Sequence, residues 1–278
     1  MKSTRLLQRV RRNSYRRWRV EAEDHQRQGH YAWMARRLEG FTRVLELGVG
    51  EGRSTLELLR RGHEVLAVDE NPYCLKSTAT ALSEAGHPPE LLLRGRPETR
   101  GERYTVRYEA PTLVSSRQHP VLVEGLLGFD LELDQWLRRQ APFDAMVCWF
   151  SQLHPAFCFH VMFARPEHRA TIRGGPPAIR RCLHQRAAEL ATRLLRPGGV
   201  LHLVERGAWS ELRVDRPTVK RPPRSCLGSA GLHLEALEFE PWLPSLELPP
   251  VQFPFERGDR PEAGTRPTLR SAIWSLPR

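Results

Sequence analysis

The residue types able to do chemistry fall into two clusters. In the first, Glu46, Gly48, Gly50 and Gly52 lie within VLELGVGEGRST, residues 44–55, and Asp69, followed by Glu70, ends a second apolar run nineteen residues after Gly50. Glycines at alternate positions let a backbone turn tightly and come close to a ligand. A helix starting just after them presents free N–H groups, a setting that suits a cofactor. A carboxylate ending the adjoining strand is placed to accept both hydroxyls of a ribose, each charge-assisted bond contributing about 1.5–3 kcal/mol. The second cluster is FDAMVCWFSQLHP, residues 143–155, where Trp149, Phe150, Ser151, Gln152 and His154 follow an apolar run. Aromatic faces attract a cationic ligand, and a histidine there takes a proton from an oxygen or nitrogen nucleophile. The plainer role of Trp149 and Phe150 is core packing.

The elements that must hold these residues read as a parallel α/β unit. Val44, Leu45 and Leu47 predict a strand, Ser54 to Leu59 a helix closed by Arg60-Arg61-Gly62, and Glu64 to Asp69 a second strand. That order predicts a parallel pair with a right-handed crossover, bringing Asp69 beside the glycine loop. A helix from Tyr73 to Gly86, strands at Val121–Gly125 and Phe143–Cys148, a helix from Ala178 to Leu195, a turn at Arg196-Pro197-Gly198-Gly199 and a strand at Val200–Glu205 continue the pattern. Residues 231–239 and 270–276 predict a closing antiparallel pair, with loop over 206–223 and 241–267. An insertion at about 88–120 holds two strand-like runs, Glu90–Leu93 and Tyr104–Tyr108, around a polar turn with Gly95, Pro97 and Gly101, which predicts a β-hairpin. A second insertion spans about 156–177, and the short helix ending at Ser225–Ala230 follows later. Residues 1–41 form a helical extension, whose Tyr31, Met34 and Leu38 face the core, and 42–278 the main domain.

Composition narrows the classes. The chain has 278 residues, 40% of them hydrophobic, and no apolar run approaches the roughly 20 residues that cross a bilayer, so a protein without a transmembrane segment is expected. Cys74, Cys148, Cys158, Cys182 and Cys226 are odd in number and lack CxxC spacing, which suits a cytoplasmic setting. His154, Cys158 and His160 match no standard zinc spacing, and no metal is expected. The net charge is +11, and residues 1–20 carry eight basic residues with no acid. With Leu7, Val10 and Trp18 on one face, this arm suits nucleic acid, an anionic membrane or an acidic partner, or is a solvated helix capping the fold. Its composition also matches a mitochondrial transit peptide.

Two ligand classes use a glycine loop followed by an acid. The dinucleotide fingerprint GxGxxG needs a small residue at position 53, where Arg53 stands, so an NAD(P)-binding oxidoreductase is the weaker reading. The pattern ExGxGxG over Glu46–Gly52, with Asp69 beyond it, instead resembles the class I S-adenosylmethionine-dependent methyltransferases. The resemblance extends along most of the chain, including the LxPGG-type turn. It implies a three-layer doubly wound, mostly parallel sheet with an antiparallel last strand, here with an N-terminal helical extension and an inserted hairpin. It implies S-adenosyl-L-methionine as cofactor and methyl transfer to an O or N nucleophile of a small molecule or peptide. Cofactor binding then falls to Glu46, Gly48, Gly50, Gly52, Asp69, Glu70, Leu126 and Trp149, and His154 becomes the candidate base. The sequence departs from the pattern at Leu126, where many members carry an acid for the adenine amino group; Glu124 or Asp130 is the nearby replacement, or apolar packing alone holds the ring. The Asn-Pro-Pro-aromatic motif of amino-methylating DNA and protein-glutamine enzymes is absent. An RNA or nucleic-acid methyltransferase docked by residues 1–20, and a methyltransferase-like binding protein without turnover, stay open.

Overall fold

The computed structural model describes residues 2–100, 103–112, 119–127, 129–150, 175–209, 230–243 and 266–277. Two helices, α1 (Lys2–Arg27) and α2 (His30–Arg36), precede a βαβ unit of β1 (Arg43–Leu47), α3 (Arg53–Arg60) and β2 (Glu64–Asp69). Next come α4 (Pro72–Glu84), β3 (Glu90–Leu92), β4 (Gly95–Arg100), β5 (Arg103–Tyr108), β6 (Val121–Glu124) and α5 (Leu131–Gln140). The chain ends with β7 (Phe143–Trp149), α6 (Gly175–Leu194), β8 (Leu195–Trp209), β9 (His233–Pro241) and β10 (Arg266–Ser275). Among the described residues, no helix is long and apolar enough to cross a membrane.

Eight of these strands form one sheet in the order β3-β6-β2-β1-β7-β8-β10-β9. β10 alone runs antiparallel to its neighbours, β8 and β9. The order reverses at β1, which has β2 on one side and β7 on the other, both parallel to it. A reversal of this kind opens a crevice beyond the C-terminal strand ends, because the loops on either side diverge to opposite faces.

Strand alternation sorts the core into two layers. Leu45, Leu47, Leu66 and Val68 pack with Trp136 of α5 and Ala188 of α6. Val44, Val65, Ala67 and Ala145 pack on the other face with Met34, Leu58 and Leu75 of α2, α3 and α4. The helix starts follow local sequence: Asn71 caps α4 by accepting from the N–H of Tyr73 at 3.1 Å, with Pro72 at the first position, and Asp130 caps α5 by accepting from Leu133 at 3.1 Å. A third cluster holds α1 in place, with Leu7 and Val10 against Tyr104, Val106, Leu126 and Ile179.

Two stretches differ from the sequence reading. The hairpin exists, but Glu90–Leu92 belongs to the main sheet, pairing in parallel with β6. Its place in the hairpin is taken by the supposed polar turn, which is β4, with Gly95 opposite Tyr108. Arg94 fixes this break, donating to the Glu109 carbonyl at 2.6 Å, the Glu124 carbonyl at 3.0 Å and Asp130 at 2.9 Å. A strand as short as β3 is too brief to declare its pairing through periodicity. The turn at Arg196–Gly199 appears as an irregularity inside β8, whose register against β7 jumps from Leu195 to Val200, and β8 runs on to Trp209 instead of yielding to loop at Arg206. Residues 151–174, with Ser151, Gln152, His154, Cys158 and His160, and residues 210–229, with most of the short helix expected there, lie outside the described residues.

Candidate functional site

The glycine loop is positioned from beneath. Glu46 lies on the Val44 face of β1, so its carboxylate runs under α3 and accepts from the hydroxyls of Ser54 and, at 2.6 Å, Thr55. Burial pushes it up to about 7, against the opposing pull of those two hydroxyls. Glu46 therefore anchors the first turn of α3 and does not line the cavity. Above it, Gly48, Gly50 and Gly52 all adopt left-handed φ values of 85°, 55° and 80°. A Cβ at Gly50 would collide with the indole of Trp18, and one at Gly52 would lie 2.8 Å from Cγ2 of Thr78 on α4. Gly50 thus gives the cavity its floor, while Gly52 allows α4 to approach α3.

The adjoining strand ends supply a wall of acids. One oxygen of Asp69 accepts from the N–H groups of Val49 at 2.9 Å and Gly50 at 3.3 Å, and the other accepts from Asn71 at 2.8 Å. A carboxylate has about four acceptor sites, so these leave room for a ligand donor. Burial pushes Asp69 up to about 6, with the three backbone N–H groups pulling the other way. Glu124 of β6 is in register with Asp69 and accepts from the backbone of Arg94 and Gly95 at 3.0 and 2.9 Å. Arg11 of α1 reaches in between, donating to the Glu70 carbonyl at 2.6 Å and lying 3.4 Å from the Glu70 carboxylate and 3.3 Å from that of Glu124. Burial raises Glu70 to about 8 even with Arg11 beside it. Asp130, occupied by Arg94 and by its helix cap, is structural.

An aromatic end completes the site. The cavity measures about 340 Å³, within the range of small-molecule pockets, and runs from Gly48, Gly50, Asp69 and Glu70 past Leu126 to Trp149 and Phe150. Trp149 donates its indole N–H to Nδ1 of His202 at 3.2 Å, and His202 meets Ser271 through Nε2 at 2.8 Å. Burial holds His202 neutral, down to about 3, which makes Nδ1 an acceptor and Nε2 a donor. Phe150 has φ 57°, a strained value for a bulky side chain, and stacks on His25 with centroids 4.1 Å apart. Beside it, Arg206 pairs with Glu21 and lies 5.5, 6.0 and 5.6 Å from the rings of Trp18, Phe150 and Trp242. α1 roofs the cavity through Asn13, Ser14, Arg17, Trp18 and Glu21.

Of the residues singled out from sequence, Gly48, Gly50, Asp69, Glu70, Leu126 and Trp149 line this one cavity. Glu46 and Gly52 support it from behind, and His154 lies outside the described residues. Sequence reasoning missed Arg11, Glu21 and Arg206. The signal for the first two is helical position: at 100° per residue they share the buried stripe of Leu7, Val10 and Ala22 despite their charge. Arg206 offers no such signal, since the stretch holding it reads as loop.

Strand order, glycine loop and switch-point cleft define a doubly wound, Rossmann-like α/β fold. No protein-family model matches the chain, and no curated protein matches it significantly. Solved structures resemble it at low identity. The cyclase SpnF aligns at 16% identity and TM-score 0.40 over 75% of this chain and 58% of its own, so the chain spans 58% of that protein's length. A protein assigned as a sarcosine dimethylglycine methyltransferase from Galdieria sulphuraria aligns at 13% identity and TM-score 0.47, over 89% of this chain and 85% of its own. The N-methyltransferase NodS from Bradyrhizobium japonicum, in complex with S-adenosyl-L-homocysteine, aligns at 10% identity and TM-score 0.44, over 91% and 87%.

Proposed function

We propose that the protein is an S-adenosylmethionine-dependent methyltransferase acting on an oxygen or nitrogen nucleophile of a small molecule or peptide. The observation that carries this reading is the meeting of a left-handed glycine loop with Asp69 and Glu70 around one cavity at the switch point. The residues present fit the cofactor. Asp69 lines the cavity and keeps an acceptor position beyond its three backbone N–H donors, which suits a ribose hydroxyl. A dinucleotide pyrophosphate suits the site less well, since carboxylates wall the loop and Arg53 is engaged by Glu51 at 3.4 Å and Glu23 at 3.8 Å.

Bound there, the cofactor supplies a methyl group carried on positively charged sulfur. The chain's own part is placement. Gly48, Gly50, Asp69 and Glu70 hold the nucleoside, and Leu126 offers its base an apolar wall. Trp149 lends aromatic surface to the charged end, worth about 0.5–2 kcal/mol. α1 excludes water from the cavity. Holding the acceptor atom in line is worth up to about 7–11 kcal/mol, so a strong base matters only for acceptors that carry a proton at the attacking atom, and there His154 is the candidate. Incubation with tritium-labelled cofactor and fractionated lysate tests this. Label entering the small-molecule or peptide fraction, and lost with Asp69→Ala, is the predicted result; label entering no fraction overturns the reading.

A further inference from the structure

α1 has two faces, and the cleft uses only one. Leu7, Val10, Arg11, Trp18, Glu21 and Ala22 turn inward. On the opposite side Arg5, Arg9, Arg12, Arg16 and Arg19 are all exposed, at spacings of four, three, four and three residues. At 100° per residue these five fall within an arc of about 80°, and at 1.5 Å per residue they extend along about 21 Å. Among the described residues no carboxylate forms an ion pair with any of them. The exposed hairpin arginines differ: Arg96 pairs with Glu109 and Arg107 with Glu98. The stripe stops at Glu23, whose carboxylate is taken by Arg53.

We infer that this stripe is a docking strip for the phosphate backbone of a nucleic-acid strand, an inference that goes beyond the methyltransferase reading and does not depend on it. A row of exposed arginines along one face of a helix complements a linear polyanion, and guanidinium groups grip phosphate oxygens in pairs. An anionic membrane suits the helix less well. Amphipathic helices enter a bilayer surface through their apolar face, and here that face is already buried against the third core cluster.

The test is fluorescence anisotropy of a labelled 20-nucleotide single-stranded RNA between about 50 and 200 mM salt. Five phosphate contacts on a single strand give a log–log slope of about −3.5, or roughly a 100-fold loss of affinity over that range. The variant R5Q/R9Q/R16Q, with an unchanged melting temperature, is expected to show a slope near −1.4 and a loss under about tenfold. R96Q/R107Q is expected to match wild type, and a DNA strand of the same sequence to bind equally, because the strip reads phosphate. No binding of the RNA, an unchanged slope in the triple variant, or binding to phosphatidylserine vesicles without binding to the strand would overturn the inference. Cofactor titration is a separate readout, so loss of strand binding with cofactor binding intact removes this inference and leaves the enzymatic reading standing.

Discussion

Asp69 lines the cleft and ties down its floor at once, because β2 ends level with β1 and brings the carboxylate under the N–H groups of Val49 and Gly50. Asp69→Asn keeps the size but loses the charge and one acceptor oxygen. Cofactor binding should weaken by about 1–2 kcal/mol, or roughly 5–30-fold by calorimetry. The buried acids also predict a pH response. Glu46, Asp69 and Glu70, at about 7, 6 and 8, all sit above their unfolded values, so the folded chain binds more protons and stability falls as pH rises through that range. His202, at about 3, and His25, lowered by burial, act oppositely and lose stability below their ordinary value near 6.5. The melting temperature should therefore fall between about pH 6.5 and 8, with a shallower fall in Glu46→Gln; a rise over that interval would contradict these assignments. Glu46 and Asp69 were legible in the sequence as the acids of a loop and a strand end. That Glu46 faces α3 rather than the cavity follows from strand alternation, which sets it on the side of Val44.

α1 reads from the sequence as a basic arm, and its folded role is wider. Arg11 sits between Glu70 and Glu124, and Trp18 lies on Gly50, so the arm is part of the cleft. Charge composition hid this, because a buried arginine and an exposed one look alike until helix phase is applied. Arg11→Met leaves buried carboxylates facing each other, which costs about 3–5 kcal/mol when one partner of a buried pair is removed. Hydrogen-exchange mass spectrometry should then show faster exchange across α1, with β1 and β2 little changed. Gly52→Ala meets both a left-handed φ of 80° and Thr78, and should lower unfolding free energy by about 1–3 kcal/mol in a denaturant titration. The hairpin shows where element-level reading stops. β4 carries Pro97 and charged residues that resemble a turn, and only the grip of Arg94 on Glu109, Glu124 and Asp130 separates it from β3. That grip joins residues 36 positions apart, beyond the reach of any local pattern.

At the scale of the whole molecule, the alternation of apolar strands with helices and the position of the glycine loop made the parallel sheet legible. The register that brings Glu124 level with Asp69, and the extension of β8 that delivers Arg206 to Glu21, arise only when distant strands meet. We propose that the cleft at the β1 switch point is a nucleoside–sulfonium site, and isothermal titration calorimetry with S-adenosylmethionine, beside NAD and NADP, decides it. Saturable heat with S-adenosylmethionine, reduced by Asp69→Ala and absent with the dinucleotides, is the predicted result. No binding by the wild type, equal binding by the variant, or preference for a dinucleotide would contradict it.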